Sequence, residues 1–181
     1  MKNYLFNEHA IQSFRDNGYK STASAVAEII DNSIEAKADN IRVLMFEESK
    51  NTRHKRVDSI AIYDDGTGMS PETMKCALQF GGGTRYDNKV GMGRFGMGLP
   101  NASVSVCTKV TVYSWQNNKC FSSCLDIDKI FESKNMELDD PKECKLPKRI
   151  VDALELKLGD SGTIVFWENC DRVDYKKAKT I

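Results

Sequence analysis

The sequence predicts an α+β domain, and three observations support this fold class. A chain of 181 residues is long enough for one domain with a single substantial core. Residues 21–38 contain no Pro or Gly and have the apolar spacing of an amphipathic helix. Runs rich in β-branched residues at 41–46 and 59–63, and two further runs joined by a turn at 117–118, predict strands. Helices and hairpin-connected strands in one short chain are typical of an α+β fold.

The composition gives no support to several classes of function. Lys plus Arg and Asp plus Glu both number 26, so nothing in the bulk charge indicates a nucleic-acid or membrane surface. The longest apolar runs are too short to span a membrane and the first residues do not resemble a signal peptide, so we expect a cytoplasmic protein with no membrane partner. Six cysteines without a Cys-x-x-Cys pair, and two histidines, predict reduced structural thiols rather than a zinc site.

The predicted helix at 21–38 has an unusual polar face. One side carries three carboxylates and a carboxamide: Glu28, Asp31, Asn32 and Glu35. Like charges three or four residues apart cost a few tenths of a kcal/mol per pair, and this face has no Lys or Arg to offset them. The face is either a solvated acidic surface or a site for a divalent cation and a water, with one carboxylate as a base.

A second polar group follows the predicted strand at 59–63. Asp64 comes directly after this apolar strand and is followed by glycines at 66 and 68. An acid at the end of a strand, next to a glycine turn, is well placed to contact a ligand at the sheet edge. Ser70 and Pro71 then predict the cap and first turn of another helix.

Glycine is concentrated in one part of the chain. Nine of the twelve glycines lie between residues 66 and 98, and a helix is predicted to start near Leu99. Glycines that lead into a helix N-terminus leave backbone N–H groups free to bind a phosphate. The alternative is a flexible glycine-rich loop with no ligand. The Gly-x-Gly-x-x-Gly string at 91–96 lacks the strand–turn–helix frame of a dinucleotide fold, and no P-loop is present.

The rest of the chain predicts strands and a peripheral segment. Strands are expected at 109–115, 120–127 and 161–167. Residues 128–158 are charged and carry two prolines, so we interpret them as a peripheral insertion with one helix at 147–156 and no chemistry.

Four segments, in order, resemble the motifs of the GHKL ATPases, a family that includes DNA gyrase B, heat-shock-ninety chaperones, histidine kinases and MutL. Residues 28–36 resemble the first motif and 64–69 the second, while 93–98 and 161–163 resemble the third and fourth. The wording Asp-Asn-Ser-Ile-Glu-Ala and Asp-Asp-Gly-x-Gly-Met is most similar to MutL and the MORC ATPases.

The resemblance implies a fold and a domain organisation. It implies a two-layer α/β sandwich, the Bergerat fold, with helices over one face of a mixed, largely antiparallel sheet. The whole chain, 1–181, would be a single ATP-binding domain with an ATP lid at 80–98 and the insertion at 128–158. It would form the N-terminal part of a longer protein, whose further partners, protein or nucleic acid, the sequence leaves open.

The resemblance also implies ATP, Mg²⁺ and specific roles. Glu28 would be the general base, and Asn32 would be the Mg²⁺ ligand. Asp64 would accept a hydrogen bond from the adenine amine, with support from Thr163. The other implied nucleotide contacts lie against the base or around the phosphates: Gly68, Met69, Thr84, Gly93, Arg94, Phe95, Gly96, Met97 and Gly98.

Three functions remain open from the sequence. The leading hypothesis is an ATPase that acts as a conformational or ATP-dependent homodimerisation switch. The alternatives are a nucleotide-sensing module with negligible turnover and a histidine-kinase-type phosphotransfer domain, although Glu28 resembles the hydrolysing branch. Some relatives carry a Lys shortly after the last lid glycine, where this chain has Leu99, so Arg85, Lys89 and Arg94 are the candidate phosphate-binding cations. We therefore expect slow or partner-dependent turnover.

Overall fold

A single antiparallel sheet forms one layer of the protein in the computed structural model, which describes residues 8–48, 56–80, 97–135, 137–155 and 158–174. Within those ranges the sheet has six strands in the order β1-β2-β6-β3-β4-β5. The strands are β1 (Ile41–Glu48), β2 (Arg56–Asp64), β3 (Lys109–Gln116), β4 (Lys119–Asp126), β5 (Lys142–Glu143) and β6 (Ser161–Glu168). The helices are α1 (Glu8–Asn17), α2 (Thr22–Glu35), α3 (Pro71–Ala77), α4 (Gly98–Val106), α5 (Ile127–Ser133) and α6 (Lys148–Leu154).

This architecture confirms the predicted α+β sandwich. All five strand pairings among the described residues are antiparallel, so this part of the sheet contains no parallel pair. The strand predicted at 59–63 is β2, which lies between β1 and β6 as its apolar composition suggested.

The central strands are apolar on both faces because both faces are covered. In β2, Ile60 and Ile62 belong to a core beneath the helices, whereas Ala61 and Tyr63 belong to a second cluster on the opposite face. Successive residues of a strand point to opposite faces, so a strand covered on both sides reads as a continuous apolar run. The second cluster includes residues of α6, so one helix covers the face opposite the main helical layer.

Helix α2 follows its sequence signals closely. Ser21 is the N-cap, and its hydroxyl accepts a hydrogen bond from the Ser24 amide at 3.1 Å. Ala25 and Ile29 are buried against the core, and the polar face points away from it. The helix ends at Glu35, before the predicted limit at residue 38, and Lys37 adopts a left-handed φ of 59° just beyond it.

Helix α4 is anchored at its C-terminal end by a buried arginine. Arg15 of α1 is 7% exposed and donates to the carbonyl oxygens of Val104, at 3.0 Å, and Cys107, at 2.8 Å. A cation at a helix C-terminus satisfies carbonyls that have no intrahelical partner. Because α4 also packs along α2, its position relative to that helix is well defined.

The segment 171–174 runs back along the first two helices. Asp171 pairs with Arg15, and the Arg172 guanidinium donates to Asp16 at 2.8 Å. Asp174 and Thr22 bond reciprocally, with the Asp174 amide donating to the Thr22 hydroxyl at 3.1 Å and the Thr22 amide donating to the Asp174 carboxylate. This segment therefore holds the start of α2 against α1.

The segment 128–158 contributes to the core as well as to the surface. Most of α5 lies within it and was not predicted, because its residues are highly charged. Ile130 packs into the main core, while Ile150 and Leu154 of α6 are fully buried in the second cluster. Within the ranges the structure describes, no helix combines the length and apolar composition needed to cross a bilayer.

Candidate functional site

A cavity of about 380 Å³ lies between α2, the start of α4 and the ends of β2 and β6. This volume is in the range of small-molecule sites. Its described lining residues are Glu28, Ile29, Asn32, Ser33, Glu35, Ala36, Asp64, Thr67, Gly68, Met69, Thr73, Cys76, Ala77, Gly98, Leu99, Thr163 and Val165.

Three polar side chains form a row across the sheet at one end of the cavity. Asp64 of β2 is paired in register with Thr163 of β6, which is paired with Ser114 of β3. They share the face that carries Ile62 and Val112, the face beneath the helices. The strand register therefore brings together three residues from distant parts of the sequence.

Asp64 is a buried carboxylate held by hydrogen bonds. It is 5% exposed, with the Gly66 amide donating to Oδ1 at 2.9 Å and the Ser33 hydroxyl lying 3.1 Å from Oδ2. Burial raises the pKa of Asp64, and the hydrogen bonds from Gly66 and Ser33 counter part of that rise. The carboxylate is thus a buried hydrogen-bond acceptor with a fixed position on the cavity wall.

Ser114 determines which way the Thr163 hydroxyl points. The Ser114 hydroxyl donates to the Gly162 carbonyl at 2.9 Å and accepts from the Met69 amide at 2.8 Å. It lies 3.0 Å from the Thr163 hydroxyl, and with the Ser114 hydrogen assigned to the Gly162 carbonyl, Thr163 is the donor of that pair. Thr163 then offers only lone pairs to other partners, so Asp64 and Thr163 both present acceptors.

The neighbouring carboxylate, Asp65, has a different role. Its oxygens accept from the amides of Asp39, at 2.9 Å, and Asn40, at 2.8 Å, and from the Asn40 side chain at 2.8 Å. Slight burial acts to raise the pKa of Asp65, but the hydrogen bonds from Asn40 and Asp39 outweigh it and lower that pKa. Asp65 therefore holds the connection between α2 and β1 and does not line the cavity.

The glycine turn after β2 is required by its geometry. Gly68 has a φ of 65°, and a β-carbon there would collide with the carbonyl oxygen of Trp115. The turn places the Met69 amide next to Ser114, which connects it to the row on the sheet.

The opposite end of the cavity is formed by α2 and the N-terminus of α4. Glu28, Asn32 and Glu35 line it and are half-buried, whereas Asp31 of the same polar face is not among the lining residues. The Glu28 carboxylate lies against Gly98, where an added β-carbon would collide with it. Its other oxygen, Oε2, accepts a hydrogen bond from the Tyr19 hydroxyl at 2.7 Å.

The first turn of α4 has backbone donors without helical partners. Met97 is the N-cap and makes no side-chain capping bond, and the first helical bond runs from the Asn101 amide to the Met97 carbonyl at 3.0 Å. The amides of Gly98 and Leu99 precede that bond, and Pro100 has no N–H group. Such a helix start is suited to an anion.

The structure brings together seven of the residues expected at the site: Glu28, Asn32, Asp64, Gly68, Met69, Gly98 and Thr163. Met97 lies one residue before the lining residue Gly98, at the N-cap of α4. Five others lie outside the described residues: Thr84, Gly93, Arg94, Phe95 and Gly96.

Three residues at the site were missed from the sequence. Ser33 and Ser114 form hydrogen bonds with Asp64 and Thr163, respectively, and Tyr19 contacts Glu28. Ser114 had a readable signal, because it occupies the same strand face as Val110 and Val112, where a polar residue is an exception. Tyr19 had none, because only the fold places the α1–α2 link next to the middle of α2.

Comparison with known proteins agrees with this arrangement. The family described as "Histidine kinase-, DNA gyrase B-, and HSP90-like ATPase" matches residues 19–162. Protein MICRORCHIDIA 6 of Arabidopsis thaliana is 26% identical over 113 residues, which are 62% of this chain and 17% of that protein. This chain therefore spans less than a fifth of that relative. The family match covers most of the chain, including the first three motif segments and residues 161–162 of the fourth, and the protein belongs to the histidine kinase-, DNA gyrase B- and HSP90-like ATPase family.

Proposed function

We propose that the protein binds ATP with Mg²⁺ in this cavity and hydrolyses it, with Glu28 as the general base. The observation that supports this best is the acceptor row at the sheet end of the cavity. Asp64 and Thr163 both offer lone pairs there, and the cavity lies between them and the free amides at the start of α4. A ligand with an amine at one end and an anion at the other matches both ends.

The two acceptors, Asp64 and Thr163, also select the nucleobase. Adenine carries an exocyclic amine where guanine carries a carbonyl oxygen, so guanine would place an acceptor against the acceptors of Asp64 and Thr163. A buried acceptor that loses its donor costs binding energy, and polar sites of this kind discriminate strongly. The sheet end of the cavity therefore favours ATP over GTP.

The residues at the other end fit a magnesium ion. Asn32 lines the cavity one turn from Glu28, and Mg²⁺ needs only one or two protein oxygens when phosphates and water complete its shell. Within the described ranges, no three His, Cys, Asp or Glu side chains form a metal-binding group. When bound, the ion neutralises phosphate charge.

Glu28 is the side chain best placed to orient a water. It lines the cavity at the start of α4, where the amides of Gly98 and Leu99 favour a phosphate. Phosphoryl transfer depends mostly on positioning and charge stabilisation, so a base, N–H donors and a metal are sufficient. Of the cavity-lining residues that the structure describes, none is Lys or Arg, so we expect turnover to be slow without a further cation.

We also propose that nucleotide binding works as a conformational or dimerisation switch. Helix α4 meets the cavity at its N-terminus and is tied to α1 at its C-terminus through Arg15. A ligand at the first turn of α4 is thereby connected, through that helix, to α1. The whole chain would act as one such domain.

Calorimetry and an ADP-release assay test the proposal together. The wild type should bind ATP in the presence of Mg²⁺, bind GTP far more weakly, and release ADP slowly. Glu28→Ala should retain ATP binding and lose turnover by about 100-fold, as expected for a general base.

Each unfavourable outcome has its own meaning. Binding without any ADP release by the wild type would favour a nucleotide-sensing module. A Glu28→Ala variant with wild-type turnover would refute the base assignment, and a wild type that produces no heat with ATP would refute the proposal.

A further inference from the structure

Tyr19 lies in the short link between α1 and α2 and contacts the proposed base. Its hydroxyl donates to Oε2 of Glu28 at 2.7 Å, and both side chains are half-buried. A hydrogen bond to a carboxylate is stronger than one between neutral groups, because one partner carries a charge. This contact occupies one of the two carboxylate oxygens.

The backbone of the link is itself fixed against α4. The Tyr19 amide donates to the Ser105 hydroxyl at 3.0 Å, and that hydroxyl donates to the Asn101 carbonyl at 2.7 Å. Gly18 allows this close approach, since a β-carbon there would collide with the Ser105 hydroxyl and the Phe14 carbonyl. The tyrosine ring therefore starts from an anchored backbone position.

Glu28 is consequently held from two sides. Oε2 is bound by Tyr19, while Oε1 lies against Gly98 at the first turn of α4, on the wall of the cavity. We propose that Tyr19 is a positioning residue, which holds the Glu28 carboxylate so that Oε1 is the oxygen available to a water. This inference rests on the proposed function and adds a residue that the sequence motifs do not include.

The phenol is a suitable group for this task. Burial raises the pKa of Tyr19, and its hydrogen bond to Glu28 and the charges of Glu28 and Asp31 raise it further. The hydroxyl therefore keeps its proton, and remains a donor, at neutral pH.

Removal of the hydroxyl tests the role in catalysis. Tyr19→Phe should lower kcat by about tenfold, because a carboxylate that samples other rotamers is misplaced for the water. KM and the Kd of ATP should stay unchanged, because Tyr19 does not line the cavity. In the Glu28→Gln background the same substitution should have no further effect.

Tyr113→Phe is the matched control. Tyr113 is also half-buried, but it packs against the second cluster, on the face of the sheet away from the cavity. The Tyr113→Phe variant should leave kcat unchanged. If Tyr19→Phe weakens ATP binding as much as it slows turnover, or behaves like Tyr113→Phe, the positioning role is refuted.

A measurement on the nucleotide-free protein gives an independent readout. With ¹³C-labelled tyrosine, the Cζ resonance that disappears in Tyr19→Phe belongs to Tyr19, and at neutral pH it should shift in Glu28→Gln. The Tyr113 resonance should not move in that variant. A Tyr19 resonance that ignores Glu28→Gln would refute the contact. A wild type that binds no ATP would instead refute the proposed function, and the role with it, while the resonance still reported the contact.

Discussion

The two ends of the cavity are built in different ways. At the sheet end, Asp64, Thr163 and Ser114 are 5%, 7% and 0% exposed, and their partners are fixed by strand register and a tight turn. At the helix end, Glu28 and Asn32 are half-buried and project from one helix. The sheet end is a rigid recognition surface, whereas the helix end holds more exposed side chains that need support from neighbouring elements.

This difference suggests that the sheet end selects the nucleotide and the helix end carries out its hydrolysis. Buried polar groups whose positions are fixed by their protein partners cannot adapt to a wrong ligand, so they discriminate well. Half-buried carboxylates and carboxamides remain accessible to water and ions. We therefore expect changes at the sheet end to alter nucleotide affinity and changes at the helix end to alter turnover.

The largest effect is expected from Asp64→Asn. The amide would place a donor towards the adenine amine, so the affinity for ATP should fall by about 100-fold in calorimetry. The fold should survive, because the Gly66 amide still meets an oxygen and the Ser33 hydroxyl can turn to the Ile29 carbonyl, 3.0 Å away.

The pKa of Asp64 gives the sign of the stability change. Because folding raises that pKa, the protonated acid stabilises the folded state at low pH. This contribution to the free energy of unfolding is lost as the pH rises through the folded pKa. At pH 7 the asparagine variant should therefore melt no lower than the wild type. Asp65→Asn is the control, and it should lower the melting temperature while ATP binding stays intact. Equal losses of binding in both variants would contradict the distinction between the two acids.

An intermediate effect is expected at the helix end from Gly98→Ala. The new methyl group would push against the Glu28 carboxylate, which is the far end of a flexible side chain and can move. Turnover should fall by about tenfold through misplacement of the base, with little change in the melting temperature.

Gly159→Ala is the control, since its β-carbon would make only an ordinary contact, 3.8 Å from the Ser161 carbonyl oxygen. Single-turnover kinetics and thermal melts of both variants check this prediction. Normal turnover in Gly98→Ala would mean that the carboxylate tolerates displacement.

The smallest effect is expected from Ser114→Ala at the sheet end. Loss of this hydroxyl frees Thr163 to rotate and leaves the Met69 amide without its partner. Affinity for ATP should fall by about fivefold, and its preference over GTP should narrow, since one neutral hydrogen bond contributes about 1 kcal/mol.

Ser123→Ala replaces another buried serine, on β4 away from the cavity, and should change neither property. The two variants can be compared by titration with ATP and GTP. An undiminished ATP preference in Ser114→Ala would show that Thr163 does not need Ser114 for its orientation.

The sequence predicted local features of the site well and its long-range contacts poorly. The helix with Glu28 and Asn32, the acid at the end of β2 and the capped start of α3 depend on short-range signals, and all lie where they were expected. The role of Ser114 depends on a strand order that no short pattern contains. The α1–α2 link gave no sign that Tyr19 would reach Glu28.

The charged segment 128–158 shows a second limit. Its composition hid α5 and the burial of Ile150 and Leu154, because a helix that buries only two side chains leaves a mostly polar sequence. Periodicity signals are weak in helices of seven residues.

The segment 171–174 attaches the end of the described chain to the first two helices. Asp171 and Arg172 fasten the chain to α1, and Asp174 bonds to Thr22 at the first turn of α2. Tension or ordering imposed on polypeptide beyond residue 174 would act first on that turn, at the beginning of the helix that also carries Glu28 and Asn32. Helix α2 would then respond both to such a force and to a nucleotide bound in the cavity.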